Sequence, residues 1–121
     1  MAAKVLVVDC SGNRKVVDCL KDADPRISIM VAGSITEARD LVEEENFDLI
    51  VSGMKMPPWS GLHLLSLVRE YKGSQVPFIL MASDMNEKLR DDALQSGANA
   101  CFDRAQLKTL TAYAVGITRA Q

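Results

Sequence analysis

The run Lys4-Val5-Leu6-Val7-Val8-Asp9 decides the fold of this 121-residue chain. It is continuously apolar, rich in β-branched residues, and ends on a carboxylate. A strand with one wet face would alternate apolar and polar residues, whereas an unbroken run is typical of a strand buried on both faces. The sequence therefore predicts an α/β protein whose parallel sheet is covered by helices on both sides.

Four further short apolar runs follow the first one, and a helix-like segment separates each from the next. The predicted strands are residues 4–9, 27–31, 48–52, 77–81 and 100–102. Helical spacing marks the intervening segments, and the last helix is predicted to begin near residue 105. Five strands alternating with five helices predict a doubly covered parallel sheet in a single domain spanning residues 1–121.

Local signals fix two of the helix ends. Ser34 and Glu37 have the spacing of a capping box, in which the two side chains cover free backbone donors at a helix start. Gly97 stands where a helix end needs a left-handed residue.

Composition limits the kinds of partner. Hydrophobic residues make up 48% and charged residues 25% of the chain, which is ordinary for a globular protein. A net charge of -2 does not favour binding to nucleic acid or to a membrane surface. The odd count of three cysteines, with one histidine, argues against a disulfide framework or a zinc site. Together with the absence of a membrane-length apolar run, this predicts a cytoplasmic protein with reduced thiols.

Known motifs occur in order along the whole chain. They are Val5-Leu6-Val7-Val8-Asp9, Phe47-Asp48-Leu49-Ile50-Val51, Met56-Pro57, Gly61-Leu62, Val76-Pro77-Phe78-Ile79-Leu80-Met81 and Ser96-Gly97-Ala98. In order and spacing they resemble the CheY-like receiver domain of two-component response regulators. The resemblance implies a three-layer (βα)5 flavodoxin-like fold with strand order 2-1-3-4-5. It also implies a place in bacterial two-component (phosphorelay) signalling.

The resemblance also implies an active site that this chain does not retain. The family holds magnesium with two adjacent carboxylates, accepts a phosphoryl group on an aspartate, and contacts it with a hydroxyl and a lysine. The matching positions here are Asp9 and Cys10, then Gly53, Ala82 and Arg104. A slip of one residue would put Ser52 at the acceptor position, but it would spoil the match of the following loop. We therefore expect no phospho-acceptor, no enzymatic activity and no cofactor, with Asp9 as the sole candidate ligand for weak magnesium binding.

The carboxyl ends of parallel strands share one edge of the sheet, which is where such folds bind ligands. Asp9 and Arg104 both lie at this edge, so we expect an ion pair between them, with Asp84 and Asp103 as rival partners for the arginine. Cys10 beside Asp9 is a weaker candidate for a redox sensor, whereas Cys19 and Cys101 are predicted to be buried packing residues.

The final helix carries more apolar character than one buried face requires. Tyr113 and Val115 lie outside the predicted core stripe, and Cys101 takes the usually aromatic switch position of the preceding strand. By the resemblance, the face made by the fourth helix, fifth strand and fifth helix would bind a protein partner or a second copy. Trp59 in the loop after the third strand is predicted either to cover the old pocket or to anchor a partner, and His63 to be a surface or packing residue.

Three functional hypotheses follow. The leading one is a pseudo-receiver that acts by protein–protein contact without phosphorylation. The second is a small-molecule or anion sensor that uses the degenerate pocket. The third, a phospho-accepting receiver, is disfavoured by Gly53.

Overall fold

A computed structural model describes residues 3–10 and 13–120 of the chain. Its strands are β1 Lys4–Val8, β2 Ser28–Ala32, β3 Leu49–Gly53, β4 Lys55–Met56, β5 Trp59–Ser60, β6 Phe78–Ala82 and β7 Ala100–Asp103. Five of them form one parallel sheet in the order β2-β1-β3-β6-β7. This is the predicted order 2-1-3-4-5, and each predicted strand boundary is correct to within one residue.

The helices are α1 Asn13–Ala23, α2 Ile35–Glu44, α3 Gly61–Ser66, α4 Glu87–Gln95 and α5 Leu107–Arg119. A π-helical turn, Leu67–Tyr71, extends α3, and a 3-10 turn, Arg104–Gln106, precedes α5. The last helix therefore begins two residues later than predicted, because Asp103 caps the 3-10 turn through the backbone N–H of Ala105. Within the described part of the chain, no helix combines the length and the apolar character needed to cross a membrane.

The unbroken apolar run of β1 contributes side chains to two hydrophobic cores, one on each face of the sheet. Leu6 and Val8 pack on one face of the sheet, beneath α2, α3 and α4. Val5 and Val7 pack on the other face, beneath α1 and α5. Because successive side chains of a strand point to opposite faces, a strand covered on both sides must be apolar at every position. The fold-class prediction is therefore confirmed together with its physical reason.

A short antiparallel ribbon, β4 and β5, occupies the segment that the sequence predicts to be a loop. It pairs Lys55 with Ser60 and Met56 with Trp59, and it leads directly into α3. Gly61 at the start of α3 lies against the end of β3, where an added Cβ would come within 2.3 Å of the Gly53 carbonyl oxygen. A glycine is therefore needed for this close approach.

Both predicted helix ends are present. The Ser34 hydroxyl accepts a hydrogen bond from the Glu37 backbone N–H at 3.1 Å. The Glu37 carboxylate reaches the N–H of Gly33, at 3.4 Å, so it caps one residue earlier than an ideal capping box. Gly97 has φ +112, the left-handed region that the end of α4 requires.

The Arg69 side chain forms hydrogen bonds with two loops at the amino-terminal edge of the sheet. Its guanidinium donates to the carbonyl oxygens of Gly97 and Ser74 at 3.1 and 3.0 Å, and to the Asn99 amide oxygen at 3.1 Å. The same Asn99 oxygen accepts the backbone N–H of Phe78, at 2.9 Å, so these contacts hold the entries to β6 and β7 together. Partial burial lowers the pKa of Arg69.

We expect Arg69→Ala to lower the free energy of unfolding by about 2 kcal/mol, because three acceptors lose a charged donor. Urea denaturation would measure the loss. Arg69→Lys should recover little of it, since an ammonium group cannot reach three divergent oxygens. Exposed Lys72→Ala is the matched control and should change stability by less than about 0.5 kcal/mol. A loss no larger than that of the control would show that these contacts are dispensable.

Candidate functional site

The site is built on a buried ion pair at the carboxyl edge of the sheet. Asp9, directly after β1, is fully buried, and its backbone N–H donates to the Ala32 carbonyl oxygen at 3.0 Å. Arg104, directly after β7, is mostly buried, with 29% of its side chain exposed. Its Nη1 and Nη2 donate to Oδ2 and Oδ1 of Asp9, each at 2.8 Å. The expected pair is therefore present in bidentate form, which a lysine could not make.

Gly53 ends β3 next to this pair. A Cβ added at position 53 would lie 2.8 Å from Arg104 Nη2 and 2.8 Å from Asp9 Oδ1. Real Cβ atoms essentially never come so close to other heavy atoms. The ion pair thus fills the space in which a side chain of residue 53 would begin.

Neither rival carboxylate, Asp84 or Asp103, forms an ion pair with Arg104. Asp103 accepts the backbone N–H groups of Ala105 and Met85, at 2.9 and 3.2 Å. Its own N–H donates to the Gln106 side chain at 3.0 Å, so Asp103 serves the start of the 3-10 turn. Asp84 is exposed on the wall of a neighbouring cavity.

That neighbouring cavity, of about 340 Å³, contains the other two residues of the predicted pocket. It is lined by Cys10, Met54, Lys55, Pro57, Ala82, Ser83, Asp84, Leu89 and Arg104. Cys10 is exposed, and its thiol donates to the Lys55 carbonyl oxygen at 3.3 Å. Neither Lys55 nor Leu89 was predicted from the sequence to line the site. The position of Lys55 just after β3, at the edge where parallel sheets bind ligands, could have indicated it.

Magnesium, which the resemblance implies, does not fit these residues. Both carboxylate oxygens of Asp9 already accept hydrogen bonds from Arg104, and the adjacent position offers a thiol instead of a hard oxygen ligand. Among residues 3–10 and 13–120, no three His, Cys, Asp or Glu side chains are grouped as a metal site requires.

Ser52 is no substitute nucleophile. Its side chain is fully buried, and its hydroxyl donates to the Gly53 carbonyl oxygen at 2.9 Å. Ser52 therefore gives no reason to shift the predicted site by one residue.

Trp59 does not cover the cavity. Its ring is 50% exposed and stacks on the His63 ring, with centroids 4.5 Å apart and an interplanar angle of 14°. The predicted cover over the pocket is therefore wrong, whereas the role of Trp59 as an anchor for a partner stays a prediction. His63 has a packing role beneath the indole.

Two residues predicted at an interface are buried, and that part of the prediction is wrong. Val115 is 8% exposed, because α5 packs against α1 as well as against the sheet. Cys101 is 7% exposed inside the core under α4; burial raises the pKa of its thiol, and nearby Arg90 opposes the rise. Cys19 is half-buried on α1. Tyr113 is 38% exposed, packs edge-on against Phe102 at 5.7 Å, and donates its hydroxyl to the Asn99 carbonyl oxygen at 3.3 Å.

Comparison with known proteins gives a consistent result. The profile of the response regulator receiver domain matches residues 5–112. An uncharacterized 14.6 kDa protein of Leptolyngbya boryana is 34% identical over 96 residues, which are 78% of this chain and 73% of that protein. A protein-glutamate methylesterase/protein-glutamine glutaminase of Agrobacterium fabrum is 29% identical over 84% of this chain, but the match spans only 28% of that enzyme.

Solved structures agree in fold. The receiver domain of a Francisella response regulator superposes with a TM-score of 0.83 at 24% identity, covering 98% of both chains. The signal receiver domain of a DNA binding response regulator from Colwellia psychrerythraea superposes with a TM-score of 0.87 at 15% identity, covering 97% of this chain and 98% of that one.

Proposed function

Since the chain belongs to the response regulator receiver domain family of two-component signalling, we propose that it is a member that works without phosphorylation and signals through protein–protein contact. The observation that carries this proposal is the place of Arg104. Its guanidinium lies where the side chain of an acceptor residue would begin, and it is held there by a buried carboxylate.

The ion pair between Asp9 and Arg104 also gives a physical reason why this edge of the sheet would keep one conformation. A phosphoryl group adds negative charge and hydrogen-bond acceptors, which can order a loop by drawing cationic side chains towards it. Here an arginine and an aspartate already join the ends of β1 and β7 through two charge-assisted hydrogen bonds. We infer that the domain holds one arrangement of this edge, and that its output surface is presented continuously.

The chain should take up no phosphate when incubated with acetyl phosphate and magnesium, because residue 53 has no side chain to attack the donor. Intact-mass spectrometry would measure this, with a phospho-accepting receiver treated in parallel as the positive control. An acid-stable adduct on a surface hydroxyl would be unrelated chemistry. One labile phosphate per chain that maps to an aspartate would contradict the proposal.

We place the interaction surface on the face made by α4, β7 and α5. Two large exposed hydrophobic residues lie there, Leu94 at 43% and Tyr113 at 38% exposure. The backbone N–H of Gly97 donates to the Leu94 carbonyl oxygen, and the Tyr113 hydroxyl donates to that of Asn99, so both residues lie near the turn that joins α4 to β7. Tyrosine is enriched among the residues that contribute most to binding, and grouped exposed apolar residues mark interaction sites.

Leu94→Glu and Tyr113→Glu should each abolish self-association or partner capture, because each puts a charge into the centre of the contact. Sedimentation would measure self-association, a pull-down would measure partner capture, and circular dichroism would check the fold. Tyr71→Glu, at a 74% exposed tyrosine away from this face, is the matched control. Binding that survives both changes but is lost in Trp59→Glu would move the interface to the β5–α3 side.

The cavity beside the ion pair gives less support to an anion sensor. Lys55 and Ser83 line it, but Asp84 does too, and Asp9 already uses both terminal nitrogens of Arg104. An anion entering there would have to compete with a buried carboxylate for the same guanidinium.

A further inference from the structure

A second cavity, separate from the one above except that Arg104 lines both, lies between α1 and α5. Its volume is about 220 Å³, and its described lining is Lys15, Val16, Met81, Arg104, Leu107 and Leu110. Val16, Met81 and Leu110 belong to the buried core beneath α1 and α5, and Leu107 packs against that core from the edge. The walls are therefore apolar and held by packed elements.

Two cationic residues, Arg104 and Lys15, line this cavity, and only the charge of Arg104 is compensated. The charge of Arg104 is matched by Asp9, which binds both of its terminal nitrogens. Lys15 is exposed and forms no ion pair with any carboxylate in the described part of the chain. The described lining contains no acidic residue, so Lys15 supplies one free cation beside an apolar hollow.

We propose that this cavity binds a small amphipathic carboxylate, with the apolar chain between α1 and α5 and the carboxylate at Lys15. An apolar cavity of about 150 Å³ accepts a benzene-sized molecule, whereas drug-sized ligands need roughly 300 Å³ or more. A volume of about 220 Å³ therefore suits a short alkyl chain. A purely polar anion would leave the apolar walls unused, and an amine would meet Lys15 with like charge.

The ligand series gives the first test, using butyrate, hexanoate and hexylamine with the wild-type chain. Chemical shifts of backbone amides in a ¹H–¹⁵N spectrum would follow binding, and the perturbed amides should lie in α1, β6 and α5. Affinity should rise about fourfold for each added methylene, because each buries apolar surface. Hexylamine should bind far more weakly than hexanoate. Equal affinities for butyrate and hexanoate, or for hexanoate and hexylamine, would overturn the proposal.

A pair of lysine variants gives the second test. Lys15→Gln should weaken hexanoate binding about fivefold, the upper end for a partly exposed ion pair. Lys21→Gln, an exposed lysine on the same helix that does not line the cavity, should change it less than about twofold. Both positions are exposed, so the fold is preserved in each variant. Equal effects of the two substitutions would remove Lys15 from the site. The outcome is independent of phosphorylation, so this proposal can fail while the proposed function stands.

Discussion

Arg104→Met should lower the free energy of unfolding by about 3 kcal/mol, the largest stability effect that we expect from one substitution at the site. The reason is the environment of Asp9, whose side chain is fully buried while its two oxygens accept from Arg104 at 2.8 Å. Removing the guanidinium takes two charge-assisted hydrogen bonds away from a buried carboxylate. The partial exposure of Arg104 keeps the expected loss at the low end of values for buried pairs. Urea denaturation would measure it.

A double-mutant cycle separates the pair from its surroundings. Asp9→Asn removes the buried charge, so Asp9→Asn with Arg104→Met should be more stable than Arg104→Met alone. Arg39→Met is the matched control, because Arg39 and Asp40 form an exposed pair and its loss should cost less than about 1 kcal/mol. If the losses of stability from Asp9→Asn and Arg104→Met simply add in the double variant, the bidentate contact has no coupling energy. Our account of this edge would then be wrong.

The sequence was sufficient to predict the ion pair for a simple geometric reason. Parallel strands end at the same edge of their sheet, so a carboxylate after the first strand and an arginine after the last face the same space. The five apolar runs likewise fixed the strands, because burial on both faces leaves little choice of residue. Strand order is different: periodicity does not determine it, and it came from the resemblance to receivers.

The burial of Val115 could not be predicted from a helix with one apolar stripe. α5 packs against the sheet and also against α1, so its buried surface is wider than a single stripe. Thr111 and Thr118, four residues before and three residues after Val115, are also buried, with their hydroxyls bonded to carbonyls of their own helix. Polar residues satisfied in this way look like solvent-facing positions in a sequence pattern. The helical spacing of Thr111, Val115 and Thr118 puts them on one face of α5. This spacing was the sequence feature that could have predicted a second buried face.

The contacts of Arg69 were missed for a related reason. Its partners are two backbone carbonyls and one side-chain amide, brought together from separate loops by the folded sheet. A pattern of residue types does not show which carbonyl oxygens a turn leaves exposed. The ribbon of β4 and β5 is likewise too short, at two residues a strand, to leave a periodic signal.

Gly53→Asp alone should remain almost free of phosphate, whereas Gly53→Asp with Cys10→Asp and Arg104→Lys should be phosphorylated at least about tenfold faster. In the single variant the new Cβ conflicts with Arg104 Nη2 and Asp9 Oδ1, each 2.8 Å away. The arginine can move, but it then meets two carboxylates, and the neighbouring position still lacks an acidic ligand. The triple variant removes the guanidinium from that space and restores the acidic pair on which receiver chemistry depends.

The decisive control is Cys10→Asp with Arg104→Lys on the original Gly53 background. It contains the acidic pair and the lysine but no acceptor, so it should take up no phosphate from acetyl phosphate. Intact-mass spectrometry of the wild-type chain and the three variants under one set of conditions would compare them, and a hydroxamate trap would identify an acyl phosphate. Equal rates in the single and triple variants would show that Arg104 does not obstruct the acceptor position. Phosphate on the double variant would place the acceptor elsewhere in the chain, and the space beside Asp9 would then have no bearing on whether this receiver can be phosphorylated.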